Sequence, residues 1–264
     1  MRRFPFIALT GVALLSAACD SAQRPDPSPM PEHATAVTQT PSNAEAPSMP
    51  PPPTAPPPAG STAESSASRT YEFDADRVGA APEGFSFGRT GTGRAGRWVV
   101  QAEADAPSRP SVLAQLDTDD TDYRFPVAVA DAPSLRDLRI SVLCKPVSGR
   151  VDQACGLAFR YRDENNYFVT RANALENNIR LYYVKDGSRR QIASWSGTVI
   201  SGAWHEYVVE ARGDHIEVFW DGTRVLDHHD STFMDAGRVG VWTKADSVTY
   251  FDDIAVAPLP GGAP

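Results

Sequence analysis

The 264-residue chain has no basic block: 25 Lys and Arg stand against 33 Asp and Glu, for a net charge of −8. That balance argues against nucleic acid as a partner. After residue 20 no apolar run is long enough to span a bilayer. Between residues 20 and 68 there is no aromatic residue and almost no aliphatic one, so nothing there can build a core. Cysteine is scarce, at three residues, and no two are spaced as C-x-x-C. Neither an H-E-x-x-H motif nor a Ser/His/Asp order occurs. No stretch keeps an apolar face at helical spacing over three turns, which excludes a helical domain.

The N-terminus has what an export signal needs. Arg2 and Arg3 are followed by an apolar stretch from Phe4 to Leu15. The sequence Leu14-Leu15-Ser16-Ala17-Ala18-Cys19 resembles the lipobox of bacterial lipoproteins, in which the Cys becomes the diacylated N-terminus. Ser16 departs from the Leu usual three residues before that Cys. An ordinary cleaved signal is the alternative. On the lipoprotein reading, 1–18 is the signal peptide and 19–68 is the lipidated Cys plus a disordered Pro/Ala/Ser-rich linker. Polyproline II rises about 3.1 Å per residue, so the linker reaches on the order of 150 Å at most. The expected location is the bacterial cell envelope, on the periplasmic or cell-surface side, with the membrane contacted through the lipid alone.

With Cys19 so used, Cys144 and Cys155 remain as an even pair in an oxidising compartment. They flank the loop 145–154, and a disulfide across an antiparallel strand pair is expected. A reactive dithiol is the alternative.

From residue 69 onward the chain reads as strands. Short β-branched or aromatic runs occupy 97–103, 111–116, 124–130, 138–144, 156–162, 167–173 and 178–184. The series continues at 189–195, 204–212, 214–220, 223–226, 237–243 and 248–256. Gly, Asn, Asp and Pro punctuate them, and Asp221-Gly222 is a strong hairpin signal. The expectation is one all-β domain over 69–258, two packed antiparallel sheets, with a flexible tail at 259–264.

Asp163-Glu164-Asn165-Asn166 sits between two of these runs and is read as a turn, since Asn and Asp tolerate left-handed φ. If Arg162 lies opposite Tyr167, then Leu157, Phe159 and Tyr161 share the core face with Phe168, Thr170 and Ala172. Arg160 and Arg162 share the solvated face with Tyr167, Val169, Arg171 and Asn173. A merely charged outer face is the plain alternative. Arg forks beside aromatic rings suit a planar polar ligand such as a sugar or carboxylate.

Three segments carry a resemblance: 146–187, 204–222 and 237–256, with Arg171-Ala172-Asn173-Ala174-Leu175-Glu176 and Trp242-Thr243-Lys244-Ala245-Asp246 most distinctive. They resemble bacterial secreted domains of the concanavalin-A-like lectin/glucanase superfamily. More narrowly, they resemble the laminin-G-like, glycoside-hydrolase-16-like domains grouped with the 3-keto-disaccharide hydrolase family. The resemblance covers about residues 69–258 and implies a jelly-roll sandwich and a carbohydrate link. Candidate ligand contacts are Arg160, Arg171 and Asn173, with Trp242 and Lys244 nearby. Arg171→Ala is expected to abolish most glycan binding while leaving the melting temperature nearly unchanged.

Retaining glucanases of this superfamily carry three acids at alternate strand positions. The nearest match is Glu72, Asp74 and Asp76, with Asp in place of the last Glu. Glu103 and Asp105 lack the third acid. His228-His229-Asp230 is read as an exposed loop, because neighbouring strand residues point to opposite faces. Asp252 and Asp253, with an N-terminal acid, are candidates for a structural Ca²⁺ site; no other cofactor is expected. Three functions stay open: a tethered glycan-binding module, a glycosidase-like enzyme acting on 3-keto-glycosides, and a structural or protein-binding envelope lipoprotein. The tether is tested by Cys19→Ser, which should release the protein from the membrane fraction or stall its processing. Unchanged membrane fractionation with normal processing would refute the lipid anchor.

Overall fold

The structure, a computed structural model, describes residues 68–260. Cys19, the signal segment, the linker up to residue 67 and residues 261–264 lie outside the described residues. Fifteen strands follow in order: β1 (Arg69–Tyr71), β2 (Phe85–Gly91), β3 (Trp98–Ala102), β4 (Ser111–Gln115), β5 (Arg124–Ala130), β6 (Leu138–Ser148), β7 (Ala154–Asp163) and β8 (Asn166–Asn173). Then come β9 (Asn178–Lys185), β10 (Ser188–Ser196), β11 (His205–Arg212), β12 (His215–Trp220), β13 (Thr223–His229), β14 (Arg238–Trp242) and β15 (Val248–Pro258). Among the described residues no helix is long and apolar enough to cross a membrane.

Two antiparallel sheets form a jelly-roll sandwich. One runs β13-β12-β11-β6-β15-β4-β3, with β1 added to β15; the other runs β10-β9-β8-β7-β14-β5-β2. Between them lies one apolar core. Leu157, Phe159, Phe168, Leu181 and Val241 meet Ile140, Val142, Tyr207, Val209 and Phe251. Each such side chain contributes about 1.5–3 kcal/mol relative to exposure. Within this core Thr170 and Tyr207 share a hydrogen bond of 2.6 Å across the two sheets.

The 163–166 segment is the expected turn. Asp163 pairs with Asn166, and the Asp163 carboxylate accepts from the Asn165 backbone N–H at 2.7 Å. The strand before it differs from the simple alternation. On β7 three residues, 160–162, stand opposite the single Tyr167 on β8. Arg160 absorbs this bulge with a left-handed φ of 46°. The bulge turns Tyr161 out of the inter-sheet core and onto the outer face, where its ring lies 5.4 Å from that of Tyr167. Gly237 permits the bulge, since a Cβ there would lie 2.4 Å from the Arg160 carbonyl carbon.

The disulfide also differs in its placement. Cys144 and Cys155 are joined, but they belong to β6 and β7, in different sheets. The bond therefore pins the two sheets through the core rather than bridging a strand pair. With the cysteines 11 positions apart in sequence, the closed loop is worth about 3 kcal/mol in chain entropy. A non-reduced digest should yield the linked peptides by mass spectrometry, and Cys155→Ala should lower the midpoint of unfolding. Two freely alkylatable thiols would contradict this placement.

Candidate functional site

The central strands of the seven-stranded sheet, β5, β7, β8 and β14, are largely buried on both faces. The sheet's outer face carries Phe125, Val127, Tyr161, Tyr167, Val169, Tyr182, Val184 and Trp242, all buried. Trp242 fits because its cross-strand neighbour is Gly156, where a Cβ would meet the indole at 2.7 Å. A hydrogen-bond chain runs from Trp242 Nε1 to the Tyr167 hydroxyl at 3.2 Å, on to Thr90 at 2.7 Å, and ends on the Glu164 carbonyl. The face read as solvated is thus an aromatic wall. Burial pushes the Tyr161 hydroxyl up to about 12.

This face is concave. β10 and β5 are five strand spacings apart in the sheet order, which in a flat sheet is about 24 Å. Yet the Arg189 guanidinium of β10 lies 4.3 Å from the Phe125 ring centroid of β5, 4.5 Å from Tyr182 and 5.9 Å from Trp242. Tyr123 closes the same arc: its hydroxyl donates to Gly187 O at 3.0 Å and accepts from Arg189 N at 2.7 Å.

At one end of the aromatic wall the sheet holds a polar pit. Arg171 of β8 is buried and reaches Asp152 at 3.4 Å, Glu176 at 2.9 Å and Asn178 at 2.9 Å. Lys244, just past β14, pairs with the same Asp152 at 3.0 Å and with Asp122. Arg180 holds Glu176 from the other side at 3.2 Å. Several buried atoms have no protein partner: Arg171 Nε, Asp152 Oδ1, Asn173 Nδ2, Thr243 Oγ1 and Arg189 Nη1. Buried polar groups are normally satisfied, so such a concentration marks a place built for something besides packing. Burial raises the Asp152 carboxyl, against the pull of Arg171 and Lys244. Burial also acts to raise Glu176, but hydrogen bonds from Arg171 and Asn178 outweigh it and bring the carboxyl to about 2. The rim is apolar and exposed: Tyr123 is 40% accessible, Val151 37% and Leu175 47%.

Of the residues singled out by sequence, Arg171, Asn173, Trp242 and Lys244 come together on this face. Arg160 does not. Turned by the bulge, it is buried and donates to the carbonyls of Arg136, Phe233 and Gly213 at 3.0, 2.8 and 2.6 Å. It therefore ties the seven-stranded sheet to loops at one end of the sandwich. Arg162 is exposed and pairs with Asp235 at 2.7 Å. Asp122, Asp152, Glu176, Asn178, Arg180 and Arg189 were not among the candidate contacts. Glu176 closes the distinctive 171–176 segment and Asn178 follows two residues later, so both were within reach; Asp152 sits in an irregular loop with no periodic signal.

The other candidates separate. Glu72, Asp74 and Asp76 share no strand face, because Phe73–Ala75 is a turn of 3-10 helix, and Asp74 accepts from Ser111 N. His228 and His229 lie in β13, not in a loop. Asp252 is buried and accepts from Ser108 N and Oγ at 2.9 and 3.0 Å and from Asp253 N at 2.9 Å. Burial raises its carboxyl to about 6. Three protein donors already engage this carboxylate, so a cation bound there would have to share or displace them.

No family model matches the chain, and neither does any curated protein. Solved structures match in fold. A carbohydrate-binding module, CBM66 from Bacillus subtilis, aligns at a TM-score of 0.50 and 19% identity over 65% of this chain and 94% of that one. The exoplasmic/lumenal domain of VIP36 in its Ca²⁺/mannose-bound form aligns at 0.52 and 12% identity over 76% and 93%. At these identities the likeness concerns the lectin-like sandwich alone.

The burial of Arg171 reverses one sequence expectation. Arg171→Ala strands Asp152 with Lys244 as its remaining partner, and losing one member of a buried pair costs on the order of 3 kcal/mol. The melting temperature should therefore fall by roughly 6–10 °C for a domain of this size. A melting temperature unchanged by Arg171→Ala would show that the pit contributes nothing to the fold.

Proposed function

We propose that this chain is a carbohydrate-binding β-sandwich held at the bacterial envelope by a lipid on Cys19 and a Pro-rich spacer. The observation that carries the binding reading is the polar pit around Arg171, with its unpartnered buried donors and acceptors, set into a concave face under an exposed Tyr123. Sugars need that mixture. Their hydroxyls both donate and accept, which suits interleaved guanidinium, carboxylate and amide groups. Their C–H faces pack on aromatic rings such as that of Tyr123. The fold neighbours support the reading, since one is a carbohydrate-binding module and another was crystallised with mannose. The tether rests on the lipobox-like sequence ending in Cys19 and on the composition of 20–68.

A glycosidase-like activity is the second reading. One observation favours it: Asp152 and Glu176 share the Arg171 guanidinium, with their protonation equilibria pushed in opposite directions. Against it stands the complete burial of Asp152, whose carboxylate is engaged by Arg171 and Lys244.

A glycan array on the purified protein, followed by calorimetry on the best ligand, tests the binding reading. Tyr123→Ala and Glu176→Gln, both at the rim, should each weaken binding by roughly tenfold, about 1.4 kcal/mol, with the fold retained by circular dichroism. An array without a bound glycan, or full affinity in both variants, would overturn it. Turnover of a 3-keto-glycoside that disappears in Asp152→Asn would establish the enzyme instead.

A further inference from the structure

The hairpin of β12 and β13 forms the outer edge of the eight-stranded sheet. Asp221 and Gly222 close it with φ of 47° and 75°, the left-handed pair a two-residue hairpin requires. Its register sets His215 opposite His229 and Glu217 opposite Asp227. Ile216, Val218 and Leu226 point into the core. Alternation then puts His215, Asp227 and His229 together on the outer side, half-buried or exposed.

There the two imidazoles stack with centroids 4.6 Å apart and planes 14° from parallel. His215 Nε2 lies 2.8 Å from an Asp227 oxygen. One donor atom from each of His215, Asp227 and His229 falls within 4.8 Å of the others, and among the described residues this is the one such group of three. His229 Nδ1 is 3.1 Å from Asp214 Oδ1. That contact sets the proton on Nδ1, leaves the Nε2 lone pair free, and is the carboxylate–histidine support typical of metal ligands.

We propose that His215, Asp227 and His229 bind a divalent d-block cation of the Zn²⁺ type, with Asp214 orienting His229. Two imidazoles and a carboxylate suit Zn²⁺ or Cu²⁺ and not Ca²⁺ or Mg²⁺, which take all-oxygen sets. Bonds of about 2.0–2.1 Å in a tetrahedron place donors about 3.3 Å apart. Stacked rings aim their lone pairs along parallel lines, so binding requires an imidazole to turn about its χ angles until the lone pairs converge, which the exposure of these side chains permits. A fourth position stays open to solvent. Arg224 is the competitor: it holds Asp227 at 2.9 Å and Glu217 at 2.6 Å, and must yield some of that contact to the ion. His228, the sequence neighbour, alternates to the other side of the strand and takes no part.

Calorimetry of the chelator-treated protein with ZnCl₂ tests the site. The expected result is one Zn²⁺ per chain. His215→Ala and His229→Ala should each weaken it by at least roughly tenfold. His228→Ala should leave affinity unchanged, and Arg224→Ala should tighten it. Circular dichroism of the metal-free variants checks that the hairpin persists, and CaCl₂ should not compete. Absence of Zn²⁺ uptake by the wild-type chain, or wild-type affinity in both His215→Ala and His229→Ala, would overturn the proposal.

Discussion

Arg189 lying across Phe125, Tyr182 and Trp242 is the contact on which the outer face of this protein depends. A guanidinium over desolvated rings is worth about 2 kcal/mol or more. Its larger effect is geometric, because it joins strands five places apart and so holds the sheet in a curl. The curl makes the face concave, buries its aromatic wall, and brings Tyr123 to the turn at Gly187. Without it the polar pit would be an open patch of charge.

The pit itself is poorly explained as a stabilising device. Three cations, Arg171, Arg180 and Lys244, share three carboxylates, Asp122, Asp152 and Glu176. Burying ions costs several kcal/mol each in lost hydration, and well-packed apolar residues usually serve stability as well or better. Arg160 and Arg124 show how the fold uses arginine structurally: the Arg160 donors end on backbone carbonyls, and Arg124 reaches four carbonyls besides the Asp117 carboxylate. Arg171 reaches only side chains and leaves Nε unpartnered. That contrast separates a residue of the framework from one of a site.

Most of the sheet was legible from local pattern. β5 matches its expected bounds, 124–130, at both ends, and the 163–166 and 221–222 turns lie where Asn, Asp and Gly placed them. β1 and β2 were missed: the first has three residues, and Gly88 interrupts the second. Arg171 and Asn173 were legible as one face because they follow alternation along β8, whose core side is unambiguous; Trp242 and Lys244 were suggested only by the distinctive 242–246 segment.

The sequence by itself determined everything that depends on neighbours a few residues away: period-two strands, hairpin turns, the apolar poverty of 20–68, and the parity of β8. Tertiary structure decided the rest. Arg160 and Tyr161 exchanged faces because Gly237, 77 positions later, lets the backbone bulge against it. Cys144 and Cys155 join two sheets rather than two neighbouring strands because β6 and β7 part company at the loop between them. Asp152 meets Arg171 and Lys244 because the β7, β8 and β14 ends converge. Side-chain alternation is a local property of the backbone, whereas bulges, sheet curl and the pairing of buried charges are set by distant surfaces packing together.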